Sequence, residues 1–414
     1  MKYLIIGAGP AGVVAAETLR KLDASAEITI IGDEPEPPYS RMAIPYLLSN
    51  NIDEPGTHLR KQAHHFKDSA IEVVVDTVKS VDPSSKKLLL TSGGSRAYDK
   101  LLVATGSRPV TPPIAGIEHE KVTSCWNLKD ARKIASGLKP GASVVLIGAG
   151  FIGCIILEAL VSSGANLTVI EMGNRMVPRM LDETCGSLLE KWCQQKGVNV
   201  MTSSQVEAIE SAADNVNVKV SGGREVEAEL VISAAGVSAN AAFLEGSGVR
   251  LADGAVVIDE YMCSSVADIY AAGDVACGKD FSTGEYTVQA IQPTAVEHGR
   301  VAANNMFNHG SVCHQGSVLM NVLDTIGLIS TSYGQWEGVK GGQSATLVDQ
   351  DNFRYIQLQF DDDRLVGVNT LGLTQHIGVL RGLVQGRFKL GQWKDKLMNN
   401  PLLVMEAYLA TTQG

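Results

Sequence analysis

Apolar and polar positions along the chain switch between a two-residue and a helical period in a recurring order. The run Lys2 to Ile6 is β-prone and ends at the glycine-rich turn Gly7-Ala8-Gly9-Pro10-Ala11-Gly12. Val13 to Leu22 then follows helical spacing with alanines that permit close packing, and Glu27 to Ile31 reads as a second strand. The same succession returns as the strand Ser143 to Ile147, the turn Gly148-Ala149-Gly150-Phe151-Ile152-Gly153, a helix through about Ser162 and the strand Asn166 to Ile170. Further on, Ile269 to Ala272 makes a short buried strand, and Gln292-Pro293-Thr294 opens a helix running to about Asn305, with proline at a favourable early position. In the tail, Tyr355 to Phe360 and Leu365 to Asn369 read as strands around the turn Asp361-Asp362-Asp363, followed by helical stretches at His376 to Val384 and Leu402 to Leu409.

Length and charge narrow the function. The 414 residues predict two to four domains at roughly 100 to 200 residues each. Hydrophobic residues make up 45% and charged residues 19%, which suits packed folding rather than disorder. A formal charge of -10 repels phosphate backbones, so nucleic acid is not an expected partner. The first apolar run is far short of the ~20 residues that span a bilayer. It also lacks signal-peptide architecture, and a cytoplasmic protein is expected. Cys125, Cys154, Cys185, Cys193, Cys263, Cys277 and Cys313 are scattered, with no C-x-x-C pair, and read as reduced, mostly structural thiols.

The two glycine turns carry the chemistry. In a strand-turn-helix unit of this kind the first glycine makes the tight turn, the second lets the backbone approach a pyrophosphate, and the third lets helix meet strand, while the helix amino end holds the phosphates. An acid about 20 residues beyond the last glycine accepts hydrogen bonds from a ribose. Asp33 has that spacing in the first unit and Glu171 a slightly shorter one in the second. One such turn is weak evidence for a dinucleotide, but two complete units in one chain are strong. Glu171 favours NADH, because a carboxylate repels the 2'-phosphate of NADPH. Arg175, four residues on, weakens this slightly, because a nearby guanidinium could in principle receive that phosphate.

With these turns, the segments Tyr98-Asp99-Lys100-Leu101-Leu102-Val103-Ala104-Thr105-Gly106-Ser107-Arg108-Pro109, Ala234-Ala235-Gly236 and Asp268-Ile269-Tyr270-Ala271-Ala272-Gly273-Asp274 make the chain resemble, over nearly its whole length, the two-dinucleotide-domain flavoprotein reductases of the pyridine nucleotide-disulfide oxidoreductase superfamily. The resemblance is to the branch without a disulfide: rubredoxin and ferredoxin reductases, apoptosis-inducing factor and the flavin module of NADH-dependent nitrite reductase. It implies an α/β fold with two Rossmann-like dinucleotide-binding domains, the NADH domain inserted in the FAD domain, and a C-terminal α+β domain. It implies FAD contacts from Gly7, Gly9, Pro10, Ala11, Gly12, Asp33, Glu34, Arg41, Val78, Ala104, Thr105, Gly106, Gly273, Asp274, Pro293 and Thr294. For NADH it implies Gly148, Gly150, Phe151, Ile152, Gly153, Glu171 and Gly236. Asp274 would bind the ribityl chain, and the helix opened by Gln292-Pro293-Thr294 would turn its positive end to the flavin pyrimidine, where it stabilises charge on the reduced ring.

The segment Pro37 to Tyr46 departs from the relatives in an informative way. Arg41 matches the arginine of the P-Y-x-R-P-P-L-S-K segment of ferredoxin reductases, whereas Tyr46 stands where the lysine would be. Coenzyme A disulfide reductases and NADH oxidases place a redox cysteine in a C-A-L-P-Y-like segment, and Met42 occupies that place here. A thioether cannot form the thiolate needed for disulfide exchange. Electrons are therefore expected to leave directly from the flavin. Cys154 reads as a small thiol packing a helix start. Ile155 stands where many relatives have a glutamate, so the contacts of that glutamate do not carry over, and Glu158, one turn later, is a speculative substitute. His64-His65 reads as a solvated helix pair, His298 and His376 lack metal-ligand spacing, and no metal site is expected.

These markers predict an FAD-binding domain at 1 to 110 and 236 to 308, an NADH-binding domain at 111 to 235, and an interface domain at 309 to 414, read as a structural lid or dimer contact. The expected activity is hydride transfer from NADH to FAD, followed by electron transfer to a carrier protein or a small oxidant. No side-chain acid or base is required for the hydride step, because positioning supplies much of the acceleration. The alternatives are a flavin NADH oxidase using oxygen and an NADH-responsive redox-sensing interaction protein.

Overall fold

The structure is a computed structural model and describes residues 1–412. Two five-stranded sheets, each wholly parallel, carry the two glycine turns. The first runs in the order Ile71–Val75, Glu27–Gly32, Lys2–Ile6, Lys100–Val103, Ile269–Ala271. The second runs Asn199–Met201, Asn166–Ile170, Ser143–Ile147, Leu230–Ser233, Val122–Ser124. Strands buried on both faces read as unbroken apolar runs, and Ile5, Leu101, Leu102, Val145 and Leu146 are wholly buried in these sheets. The third major sheet is antiparallel, in the order Met320–Thr325, Leu328–Gly334, Arg364–Leu371, Arg354–Asp361, Gln343–Asp349. Its core takes in Leu380, Leu383, Leu397 and Val404 from the helices Ile377–Gly386, Gln392–Asn399 and Val404–Thr412.

The chain divides into two compact units. The first comprises Met1–Ile44, Ile52–Arg108 and Val237–Ser317; the second comprises Pro45–Asn51, Pro109–Gly236 and Val318–Gly414. The second parallel sheet and the antiparallel tail sheet thus belong to one unit.

Several elements differ from the sequence reading at their ends, each for a local reason. The first helix starts at Pro10, three residues before the expected Val13, because Pro10-Ala11-Gly12 is already its first turn and proline's fixed φ suits that position. The helix opened by Gln292 continues to Phe307. The tail hairpin is longer than its apolar core, with Asp361 paired to Arg364 and Asp362 at a φ of 47° in the turn. The helix Glu183–Gln195 was not anticipated: Gly186 interrupts its pattern, and a Cβ there would meet the Met176 carbonyl oxygen at 2.7 Å.

Candidate functional site

The two turns share one backbone construction. Gly7 has a φ of 112° and Gly148 a φ of 96°, both in the region that L side chains rarely adopt. A Cβ on Gly7 would strike the carbonyl oxygen of Ala104, and one on Gly148 would meet that of Ala234 at 2.6 Å. Ala104 and Ala234 each follow the neighbouring strand of their sheet, so the first glycine is demanded by sheet geometry. Gly12 and Gly153 face back onto the Gly7 and Gly148 carbonyls, where a Cβ would also collide. The middle glycines behave differently: a Cβ on Gly9 or Gly150 would meet nothing within 4 Å. The same openness is found at Gly106 and Gly236, which end the two crossing segments.

The helix starts reinforce this. Asn127 and Asp130 form a capping box on the helix Leu128–Gly137, and Asp182 caps Glu183–Gln195. Among the described residues, no side chain caps the helices that begin at Pro10, Phe151 and Gln292. Uncapped amino ends present orphan N–H donors and a positive dipole end, which is the chemistry that holds a phosphate or an electron-rich ring.

The acids at the strand ends are not equivalent. Gly7 N–H donates to the Ile31 carbonyl at 2.7 Å, and Gly148 N–H to that of Ile170 at 2.8 Å, which aligns the two units residue by residue. In this register Glu171 corresponds to Gly32 and not to Asp33. Glu171 turns toward its own glycine turn: one carboxylate oxygen accepts from Ala149 N–H at 2.7 Å and the other from Gly173 N–H at 2.7 Å. Asp33 is exposed. Glu34 instead accepts from the Tyr39 hydroxyl at 2.5 Å and from the Arg41 guanidinium at 2.6 Å. Arg175 is tied to the Leu181 carbonyl at 2.9 Å, the Pro178 carbonyl at 3.1 Å and Asn174 Oδ1 at 2.8 Å, so each of its three guanidinium nitrogens is held within its own loop.

The remaining candidates of the first turn lie in one unit, on loops and at the starts of helices and strands. Gly273, at a φ of 79°, lets its segment pack against Ala11 and Ala295, which brings Asp274 beside the Pro10 and Gln292 helices. The Asp274 carboxylate accepts from the Ser107 hydroxyl at 3.0 Å. Burial holds its pKa above the usual carboxylate range, against the lowering effects of Ser107 and the Arg41 charge. Thr105 donates to the Asn240 carbonyl at 2.6 Å. Thr294 is buried and Pro293 exposed at the start of their helix, where Gln292 accepts from Ser40 at 2.5 Å. Val78 is buried at the start of the strand Val78–Asp82.

Comparison with known proteins decides the family, for residues 1–300 match the pyridine nucleotide-disulphide oxidoreductase family. The chain belongs to it. A subunit of another enzyme, the NADH-dependent phenylglyoxylate dehydrogenase subunit epsilon of Aromatoleum evansii, is 29% identical over 413 residues, covering 99% of this chain and 98% of that protein. The rubredoxin-NAD(+) reductase of Ectopseudomonas oleovorans is 24% identical, covering 93% and 99%. Among solved structures, an NAD-dependent persulfide reductase from A. fulgidus superposes with a TM-score of 0.87 at 30% identity, over 95% of this chain and 79% of that one. The chain is accordingly an FAD- and NADH-dependent oxidoreductase. The open turns and the helix starts at Pro10, Phe151 and Gln292 offer N–H donors and space, and Asp274 an acceptor, that would suit such cofactors; FAD would supply the two-electron to one-electron conversion when bound.

This pyridine nucleotide oxidoreductase offers few thiols for relay chemistry. All seven cysteines are free. Burial pushes Cys154 and Cys185 well up in pKa, Cys125 and Cys193 to about 12, and Cys263 to about 11, so none of these five is a ready thiolate. Cys154 is fully buried with its Sγ 3.4 Å from the Ala149 carbonyl, a packing role. Met42 and Tyr46 are 41% and 57% exposed, and Glu158 is exposed. Among the described residues, no group of three or more His, Cys, Asp or Glu could hold a metal ion, and no helix is long and apolar enough to cross a membrane. The reading of His64-His65 as a solvated helix pair needs correction. His64 lies outside the helix His65–Asp68, and half-buried His65 bonds Glu17 at 2.8 Å beside Arg60. Sequence reasoning also missed Ser107 on Asp274 and Gly299. A Cβ on Gly299 would strike the Ala11 carbonyl, and the only signal for it was a glycine inside a helical pattern.

Proposed function

We propose that the chain oxidises NADH at FAD and passes the electrons singly to an iron-sulfur carrier protein or subunit. In this reading the FAD domain comprises 1 to 110 and 236 to 308, the NADH domain 111 to 235 and the interface domain 309 to 414. Gly9, Pro10, Gly106, Asp274, Pro293 and Thr294 face FAD, while Gly150, Phe151, Ile152, Glu171 and Gly236 face NADH. The observation that carries direct electron transfer from the flavin is Met42, which stands where a thiol relay requires sulfur that can lose a proton. Without that relay the flavin must deliver electrons directly to a group outside the chain. Two relatives support this reading, one named as a dehydrogenase subunit and another for rubredoxin, while others are named NADH oxidases. A cytoplasmic setting and a homodimer are compatible with this role.

Anaerobic titration of the purified FAD protein with NADH tests the first half, and reoxidation tests the second. NADH should bleach the flavin, and an oxidised ferredoxin should restore its colour at least about tenfold faster than air-saturated buffer. Equal rates with ferredoxin and with air would replace the carrier reading by an oxidase.

A further inference from the structure

The tail sheet holds the loop that follows Glu171. Residues 171 to 182 leave the second parallel sheet, bond to the second glycine turn and enter the helix Glu183–Gln195. Val177 N–H donates to the Ala149 carbonyl at 2.8 Å, and Ala149 N–H donates to Glu171 at 2.7 Å. Ala149 therefore ties the acid and the loop to the same residue of the turn, one through its N–H and the other through its carbonyl. Val177 is buried with a φ of 49°, a conformation a β-branched residue keeps only when its surroundings impose it.

The C-terminal sheet imposes it. Asn369, wholly buried, accepts from Asp182 N–H at 2.9 Å and donates to the Met180 carbonyl at 3.0 Å. Its amide thus reads the backbone at two positions as a neighbouring strand would, which neither a carboxylate nor an apolar side chain can do. The Tyr355 hydroxyl donates to the Asp182 carboxylate, whose other oxygen caps the helix by accepting from Cys185 N–H at 2.8 Å. Burial and that carboxylate both push the Tyr355 pKa up, so it remains a donor. Met180 and Leu181 N–H groups then close onto the Val177 carbonyl at 2.9 and 3.0 Å, linking the tail contact to the turn.

We propose that Asn369 and Tyr355 are positioning residues for NADH, acting through the loop 171 to 182 to hold Glu171 and Ala149 in the nucleotide-binding arrangement. The inference rests on the reading of the second turn as the NADH site. It gives the C-terminal region a part in nucleotide affinity as well as in packing.

The test uses FAD-loaded protein and two readouts, calorimetric binding of ADP-ribose and the steady-state split between KM and kcat with ferricyanide as acceptor. Asn369→Ala should weaken ADP-ribose and raise the KM for NADH about tenfold, with kcat within about twofold and FAD content unchanged. Tyr355→Phe, which removes one oxygen, should shift both about threefold in the same direction and decides the matter if Asn369→Ala does not fold. Glu171→Gln is the control for the site itself. If it loses ADP-ribose while both tail variants bind as wild type, the positioning role is overturned and the site stands. If it binds ADP-ribose as wild type, the site reading falls and takes the positioning role with it.

Discussion

The first and second glycine turns are built to one plan and part company at a single strand end. Both place a positive-φ glycine against the carbonyl that ends the adjacent strand, a glycine facing open space, and a third glycine packed on the first. Both open uncapped helices. After Ile170 comes Glu171, whose carboxylate is held by Ala149 and Gly173; after Ile31 comes Gly32, where a Cβ would already lie 3.1 Å from that of Ala8. The acid of the first unit sits two residues later, in Glu34, and is bonded to Arg41 and Tyr39. What the turns share is what strand and helix require of the backbone; what separates them is the strand end, which on the proposed assignment would meet the part of each nucleotide beyond the phosphates.

The sharpest way to break that comparison is to separate glycines needed by the fold from those needed by a ligand. Gly7→Ala places a side chain at a φ of 112° and onto the Ala104 carbonyl. It should cost roughly 3 kcal/mol or more and yield protein without FAD. Gly9→Ala, at a φ of -79° with open space around it, should leave the unfolding free energy of FAD-free protein within about 0.5 kcal/mol of wild type while FAD affinity falls at least about tenfold. Urea unfolding with and without FAD distinguishes the two. An unchanged FAD affinity in Gly9→Ala would remove the turn from the flavin site.

The units also differ in what covers their helices, and acid should expose it. The first helix is backed by Gln292–Phe307, which carries His298, 4% exposed, with its ring 4.9 Å from that of His314 and its Nε2 3.4 Å from Ser317 Oγ. Burial, aided by His314, pushes the His298 pKa down to about 3. An unfolded histidine titrates near 6.5, so below that pH the unfolded chain binds the proton and the folded chain does not. This contribution to stability is complete above about pH 6.5 and is lost as pH falls toward 3, amounting to about 2 kcal/mol by pH 5. His314, also lowered by burial, acts in the same direction, with Glu297 at 3.7 Å opposing. All four tryptophans, at 126, 192, 336 and 393, lie in the second unit, so their fluorescence reports it, while on the proposed assignment of FAD to the first turn FAD release would report the first. Between pH 7 and pH 5 the urea midpoint for FAD release should fall further than that for tryptophan, and His298→Gln should reduce the gap. Parallel shifts of both probes would assign the acid sensitivity elsewhere.

How far the sequence could be read follows from the same contrast. The glycine turns were legible because their residue types are dictated locally, by φ and by one close carbonyl, and the parallel strands because burial on both faces leaves unbroken apolar runs. Position along the chain was a poorer guide to the acids. Counting from the last glycine put Asp33 and Glu171 in matching roles, while strand register aligns Glu171 with Gly32. The contacts of Asn369 with residues 180 and 182, and of Ser107 with Asp274, join segments over 160 residues apart and leave no periodic trace.

The smallest expected effect concerns nucleotide choice at Glu171, and it sharpens the strand-end difference. Glu171→Gln removes the charge that repels a 2'-phosphate but supplies no cation, because Arg175 remains bonded to the carbonyls of Leu181 and Pro178. The variant should therefore lose NADH preference without gaining much NADPH activity. Met172, the next residue, is 73% exposed, so a guanidinium there can reach solvent and a phosphate without displacing packed atoms. Adding Met172→Arg to Glu171→Gln should raise kcat/KM for NADPH about tenfold over the single variant, worth about 1.4 kcal/mol of transition-state binding. The corresponding pair at Gly32 and Asp33 should leave the NADH to NADPH ratio unchanged, since that strand end belongs to the other turn. A change of nucleotide preference from the Gly32 and Asp33 variants, with none from Glu171 and Met172, would exchange the roles of the two turns.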